Sequence, residues 1–157
     1  MIFQEEHLAQ VTGHIEALTH AHWQEAEARL HGTGYQYNAG HYATLEGLGM
    51  LALYTARHGG RLAGYAAFCL TPCPHRPGLT VAVLDGLYLC PQARQGLTAL
   101  ALLRHAEAGL QARGVGLVQY SSPAARPCDA LYRRLGAVPT DQVWHKRLDM
   151  AEEQGAC

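Results

Sequence analysis

The chain has 157 residues, 48% of them hydrophobic and 16% charged, with a formal net charge of −1. That length suits one domain with a sizeable core, and so apolar a composition excludes a disordered chain. The near-neutral charge argues against a nucleic-acid partner, and no apolar run approaches the ~20 residues of a membrane span.

Met1 to His7 is predicted as a short edge strand. The start, MIFQEEHLAQ, lacks the basic residues and apolar run of a secretory signal, which points to the cytoplasm. From about Thr12 to Leu30 the pattern is helical, with Ile15, Leu18, Ala26 and Leu30 on one face. His22, Trp23 and Glu25 fall on its second half. Either Trp23 packs and the other two are solvated, or this helix lines a substrate cleft. Gly32 to Gly49 is polar and aromatic, carrying Tyr35, Tyr37 and Tyr42, with a short helix expected around His41 to Leu48.

Met50 to Arg57 and Arg61 to Leu70 read as strands. Gly59-Gly60 between them is a hairpin signal, because tight hairpin turns need positive φ. Thr71 to Gly78, with three prolines in eight residues, is a loop. Leu79 to Leu89 is a long strand. With regular pleating Leu79, Val81, Val83, Asp85, Leu87 and Leu89 share a face, and Asp85 is the one charged residue on it. A lone buried carboxylate is expensive, so Asp85 either faces a cleft or is turned to solvent by a bulge at Gly86.

A tight loop from Cys90 to Leu97 leads into a helix from about Thr98 to Arg113, stopped by Gly114. The start of such a helix holds anions well, Gly96 lets a ligand approach backbone closely, and Arg94 adds charge. Val115 to Ser121 is a further strand, Cys128 to Leu135 a short helix closed by Gly136, and Ala137 to Leu148 strand-like apart from Pro139. The order α, β, β, β, α, β, α, β implies a mixed α/β sheet. Five cysteines at scattered spacings and ten histidines without a ligand motif give no metal site.

Three stretches together resemble the Gcn5-related N-acetyltransferases (GNAT). LYLCP followed by ARQGLTA and its helix is similar to that family's pyrophosphate loop. RLAGYAAF resembles its paired central strands, and ALYRRLGA, carrying Tyr132, resembles its tyrosine-bearing helix. HWQE at His22 to Glu25 and the ending VWHKRL further resemble a bacterial and phage-encoded subgroup. The loop departs from the usual Gln/Arg-x-x-Gly-x-Gly/Ala: from Arg94 it runs Arg-x-Gly-Leu-Thr-Ala, so Leu97 stands where glycine is usual.

The resemblance implies a GNAT-like, mostly antiparallel central sheet flanked by helices, with two splayed central strands. It implies one domain over residues 1–150, followed by a polar tail at 151–157. It implies direct transfer of an acetyl group from acetyl-CoA to a primary amine, on a small molecule or a peptide, without a metal. Backbone at Leu87, Tyr88 and Leu89 would bind the pantetheine arm. Arg94, Gln95, Gly96, Leu97, Thr98 and Ala99 would hold the pyrophosphate. Tyr132 would protonate the leaving thiolate. Asp85, directly or through water, is the first choice of base and Glu25 the second, while His22 and Glu25 would meet the acceptor. Further acceptor contacts are expected from His22 to Tyr42 and Thr71 to Gly78, with Glu46 also near the cleft. Exposed strand edges permit a homodimer. The alternative is a catalytically inactive acyl-CoA-binding protein on the same scaffold.

Overall fold

The computed structural model describes residues 1–28, 34–124, 126–146 and 148. Its centre is a five-stranded sheet in sequence order: β1 (Ile2–Glu5), β2 (Leu51–His58), β3 (Arg61–Pro72), β4 (Thr80–Leu89) and β5 (Val115–Gln119). The first four strands pair antiparallel, and β5 joins β4 in parallel. Between β1 and β2 lie α1 (Leu8–Val11), α2 (Ile15–His22) and α3 (Ala39–Gly47). The turns of α2 widen into a π-helix over Trp23–Glu27. A 15-residue helix, α4 (Thr98–Ala112), connects β4 to β5, and α5 (Asp129–Arg134) follows β5.

Strand alternation sorts the sheet into two buried faces. Tyr54, Ala66, Phe68 and Leu84 meet Leu102, Leu103, Ala106 and Leu110 of α4 on one side. Leu53, Tyr65, Ala67 and Tyr88 meet Val11 and Ile15 on the other, which is the side of α1 and α2. The hairpin between β2 and β3 turns at Gly59 and Gly60, with φ of 57° and 78°, as their positions between two strands required.

Regular pleating of β4 does not hold. Ala67 pairs with Gly86 and Phe68 with Leu84, so Asp85 is an extra residue opposite nothing. The bulge reverses parity: Ala82 and Leu84 face α4 before it, and Leu87 and Leu89 face α4 after it. One residue of slip sends every later side chain to the opposite face. Asp85 and Gly86 therefore both lie on the face away from α4, and the slip returns the apolar Leu87 and Leu89 to the core.

β4 and β5 pair only from Thr80 to Val83. Beyond that they diverge, so β5 ends at Gln119 rather than Ser121. From Leu84 to Leu89, β4 has β3 on one side and an open fork on the other. The strand expected at Ala137 to Leu148 is absent over the described residues 137–146 and 148. A strand needs a ladder, and this stretch has none. It leaves Val138, Val143, Trp144 and Leu148 exposed. Leu30, expected at the end of the first helix, and the tail at 151–157 lie outside the described residues.

Candidate active site

Two surfaces meet at the bulged half of β4. On its edge is the fork. The N–H of Cys90 donates to the carbonyl of Ala63 on β3, at 2.8 Å. Backbone direction alternates along a strand, so the amides of Leu87 and Leu89 point the other way, into the fork, while that of Tyr88 faces β3. At the root of the fork Ser121 Oγ donates to the carbonyl of Leu84 at 3.4 Å, and the Tyr132 hydroxyl donates to the carbonyl of Ser121 at 2.8 Å. Tyr132 is buried and stacks on Tyr120 with ring centres 4.7 Å apart. Burial pushes its hydroxyl pKa upward, so it stays protonated at neutral pH.

At the mouth of the fork is the start of α4. Gly96 has φ +59°, and a side chain added there would meet nothing within 4 Å. Among the described residues no side chain caps the helix start. Thr98 donates both its hydroxyl and its N–H to the carbonyl of Gln95, and Ala101 donates its N–H to that of Leu97, so among the described residues the first-turn amides left to an outside acceptor are those of Ala99 and Leu100. This geometry, an open glycine and an uncapped 15-residue helix beside unpaired strand amides, fits a phosphate-bearing chain such as CoA.

Arg94 is already engaged. Its Nε donates to the carbonyl of Leu89 at 2.7 Å, and Nη2 donates to both carboxylate oxygens of Glu25 at 3.0 and 2.8 Å. Its guanidinium lies 5.1 Å from the centre of the Tyr88 ring. Arg126 and the hydroxyl of Tyr88 donate to the same Glu25. Burial pushes the Glu25 pKa up, but these donors outweigh it and hold the group below the usual carboxylate range. A carboxylate so occupied is a poor base, and Glu25 is better described as a clamp joining the first helix to the two loops that border the fork.

On the sheet face beside the fork is a cavity of about 390 Å³. Asp85 and Gly86 lie at its β4 wall, and Tyr65, Leu53 and Ala67 belong to its floor. The π-helical turn brings Trp23 and Glu27 into it together with His22, whose Nδ1 lies 2.8 Å from the Tyr65 hydroxyl. Burial lowers the pKa of His22, against the pull of nearby carboxylates, so the ring is neutral at pH 7. Tyr35, Tyr37 and Tyr42 close the cavity from the segment before and within α3. Tyr42 donates to Asp85 Oδ2 at 2.8 Å, and burial followed by that carboxylate raises its pKa.

The structure thus brings Asp85 and His22 to one cavity, and Leu87, Leu89 and Tyr132 to the adjoining fork. Glu25, expected to meet the acceptor, is not among the cavity-lining residues, and three further expectations are corrected. Residues 71–78 do not line the cavity. Glu46 accepts the Leu8 N–H at 2.8 Å at the start of α1, because that helix end needed an acceptor. Tyr88 contributes its ring and hydroxyl on the α2 side, because alternation turns its amide to β3. The residues that the sequence did not mark are Tyr65 and Arg126, while Glu27 fell only within the broad stretch His22 to Tyr42. Only the aromatic density of Tyr35 to Tyr42 gave a signal for the cavity wall.

Splayed parallel strands with a glycine loop and helix at their open end define the acetyltransferase fold of the Gcn5-related kind, and the chain has it. The structure superposes on a ribosomal-protein-alanine N-acetyltransferase of Brucella melitensis with a TM-score of 0.71 at 19% identity, covering 94% of this chain and 99% of that one. An aminoglycoside acetyltransferase from an uncultured soil metagenomic sample gives 0.71 at 18%, covering 96% and 100%. A predicted acetyltransferase of Clostridium acetobutylicum, solved with acetyl-CoA, gives 0.70 at 12%, covering 94% and 96%. No family model matches the sequence, and no curated protein does. The likeness is one of fold, and it singles out no bacterial or phage subgroup. Among the described residues no helix is long and apolar enough to cross a membrane, and no cluster of three metal-ligating side chains occurs.

Proposed function

We propose that the chain is an N-acetyltransferase that moves an acetyl group from acetyl-CoA to a primary amine. The observation that carries this is the fork: β4 and β5 part after Val83 and Gln119, and the opened edge borders the cavity containing Asp85. Acetyl-CoA supplies an acetyl group activated as a thioester. The amides of Leu87 and Leu89 hold the extended arm as an added strand and stabilise negative charge on the carbonyl oxygen. The start of α4, from Gly96 to Ala99, receives the pyrophosphate.

Asp85 takes a proton from the acceptor amine, directly or through water, and passes it to solvent. A carboxylate is a weak base for an alkylammonium, so relay to water matters, and Asp85 is open enough to allow it. Tyr132, protonated at neutral pH, gives its hydroxyl proton to the departing sulfur and regains one from water. His22, neutral, bonded to Tyr65 and packed beside Gly86, orients the amine next to Asp85.

Thermal melts with and without acetyl-CoA, followed by thiol release across an amine panel, test this. At ~100 times the dissociation constant, bound acetyl-CoA adds about 2.7 kcal/mol of stability. Stabilisation with turnover supports the reading. Stabilisation without turnover on any amine supports the inactive acyl-CoA-binding alternative. No stabilisation at millimolar acetyl-CoA removes both.

A further inference from the structure

The acceptor cavity has a composition that selects its occupant. Its floor is mostly aliphatic, from Leu8, Ile15, Leu51, Leu53 and Ala67, with the ring of Tyr65 among them. Its walls are rings: Tyr37 stacks on Tyr42 with centres 5.6 Å apart, and Trp23 meets Tyr35 edge-on at 6.2 Å. Among the described residues its two carboxylates, Asp85 and Glu27, come from β4 and from the π-helical turn, and neither lysine nor arginine lines it. Asp85 receives only the Tyr42 hydroxyl among the described hydrogen bonds, leaving Oδ1 for another donor.

Ring faces carry negative potential and attract cations, most strongly when water is displaced. Aliphatic floor, ring walls and unneutralised carboxylates together suit one chemistry. We propose that this cavity binds a small aliphatic amine in its protonated form, its ammonium held between Asp85 and the tyrosine rings and its stem on the leucine floor. A volume of about 390 Å³ suits a free small molecule. An amine that also carries a carboxylate is disfavoured by Asp85 and Glu27. Calling this occupant the acceptor rests on the acetyltransferase reading, but the binding itself does not.

Trp23 reports on the cavity directly. The chain has two tryptophans, and Trp144 is exposed at 87%, so Trp144→Phe leaves Trp23 as the only fluorophore of its kind. This variant is titrated with hexylamine, 1-hexanol and hexanoate at pH 7 without acetyl-CoA. Hexylamine is expected to change Trp23 emission saturably, and the alcohol and the acid are not. Adding Asp85→Asn should weaken hexylamine by about tenfold or more, as for loss of a charged hydrogen bond. Tyr37→Leu, at a half-buried position, should weaken it as well, with circular dichroism checking the fold.

Equal binding of the alcohol or the acid, or no response to hexylamine, overturns the proposal. An unaltered hexylamine affinity in both variants overturns it too. Acetyl-CoA melts on the same protein separate the two ideas. Stabilisation by acetyl-CoA with no hexylamine binding defeats the cation site alone, whereas hexylamine binding with no acetyl-CoA effect defeats the acetyltransferase reading alone.

Discussion

Tyr132→Phe removes a single oxygen at the root of the fork. The ring keeps its stack on Tyr120, since phenylalanine presents the same face. What disappears is one neutral hydrogen bond of 2.8 Å, to the carbonyl of Ser121. Such a bond is worth about 1 kcal/mol net, and the carbonyl left behind sits near the fork, where water can replace the donor. For a chain of this size that is a fall of roughly 2–4 °C in Tm. The catalytic effect should be far larger. A placed acid contributes roughly 10²–10⁴-fold to rate, so turnover should fall by at least ~100-fold while acetyl-CoA affinity holds. Thermal melts give the first number, calorimetry the affinity, and single-turnover thiol release the chemical step. The signature of a group acting in the transition state is a lower kcat with unchanged binding. A rate loss below ~3-fold, with chemistry rate-limiting, would refute the reasoning and reduce Tyr132 to a packing residue that ties α5 to the end of β5.

Two further perturbations probe the scaffold and the anion site. Glu6 is buried and bonded to Arg57 through Nε and Nη2, both at 2.9 Å, and to the hydroxyl of Thr55. Burial opposes ionisation, yet these donors depress the folded pKa below the ordinary 4.5, so the pair's contribution is complete above that value and is lost as pH falls through the depressed folded value. Urea titrations should therefore show wild type losing stability in acid, whereas Glu6→Gln should start about 3 kcal/mol lower at pH 7 and vary less; parallel pH profiles would exclude Glu6 as the source. A Cβ added at Gly96 meets no described atom within 4 Å, but Gly96→Val forces a β-branched residue toward φ +59°, so the Tm should fall modestly and acetyl-CoA affinity about tenfold or more. Unchanged affinity would place the phosphates elsewhere.

What the sequence determined was local. Gly59-Gly60 required a hairpin, Gly114 and Gly136 stopped two helices, and the run from Leu84 to Gly114 specified strand, loop and helix, because glycine chemistry and apolar periodicity act over a few residues. Asp85 was also legible as an anomaly: a charge at a core position of an apolar strand demanded a bulge or a cleft. The structure supplies both: next to Leu84 on the α4 face, Asp85 points to the cavity, and the extra residue there returns Leu87 and Leu89 to the α4 face. Only the tertiary structure decided the rest. The partners of Arg94 come from Glu25, 69 positions away, and those of Asp85 from Tyr42, 43 positions away, so no spacing could announce them. The cavity exists because a π-helical turn, a tyrosine-rich connection and the bulged strand converge on one sheet face. The fork exists because β5 leaves the ladder after four paired positions. Strand identity follows from side-chain pattern, but where two strands stop pairing depends on what each packs against, and that is a property of the assembled sheet.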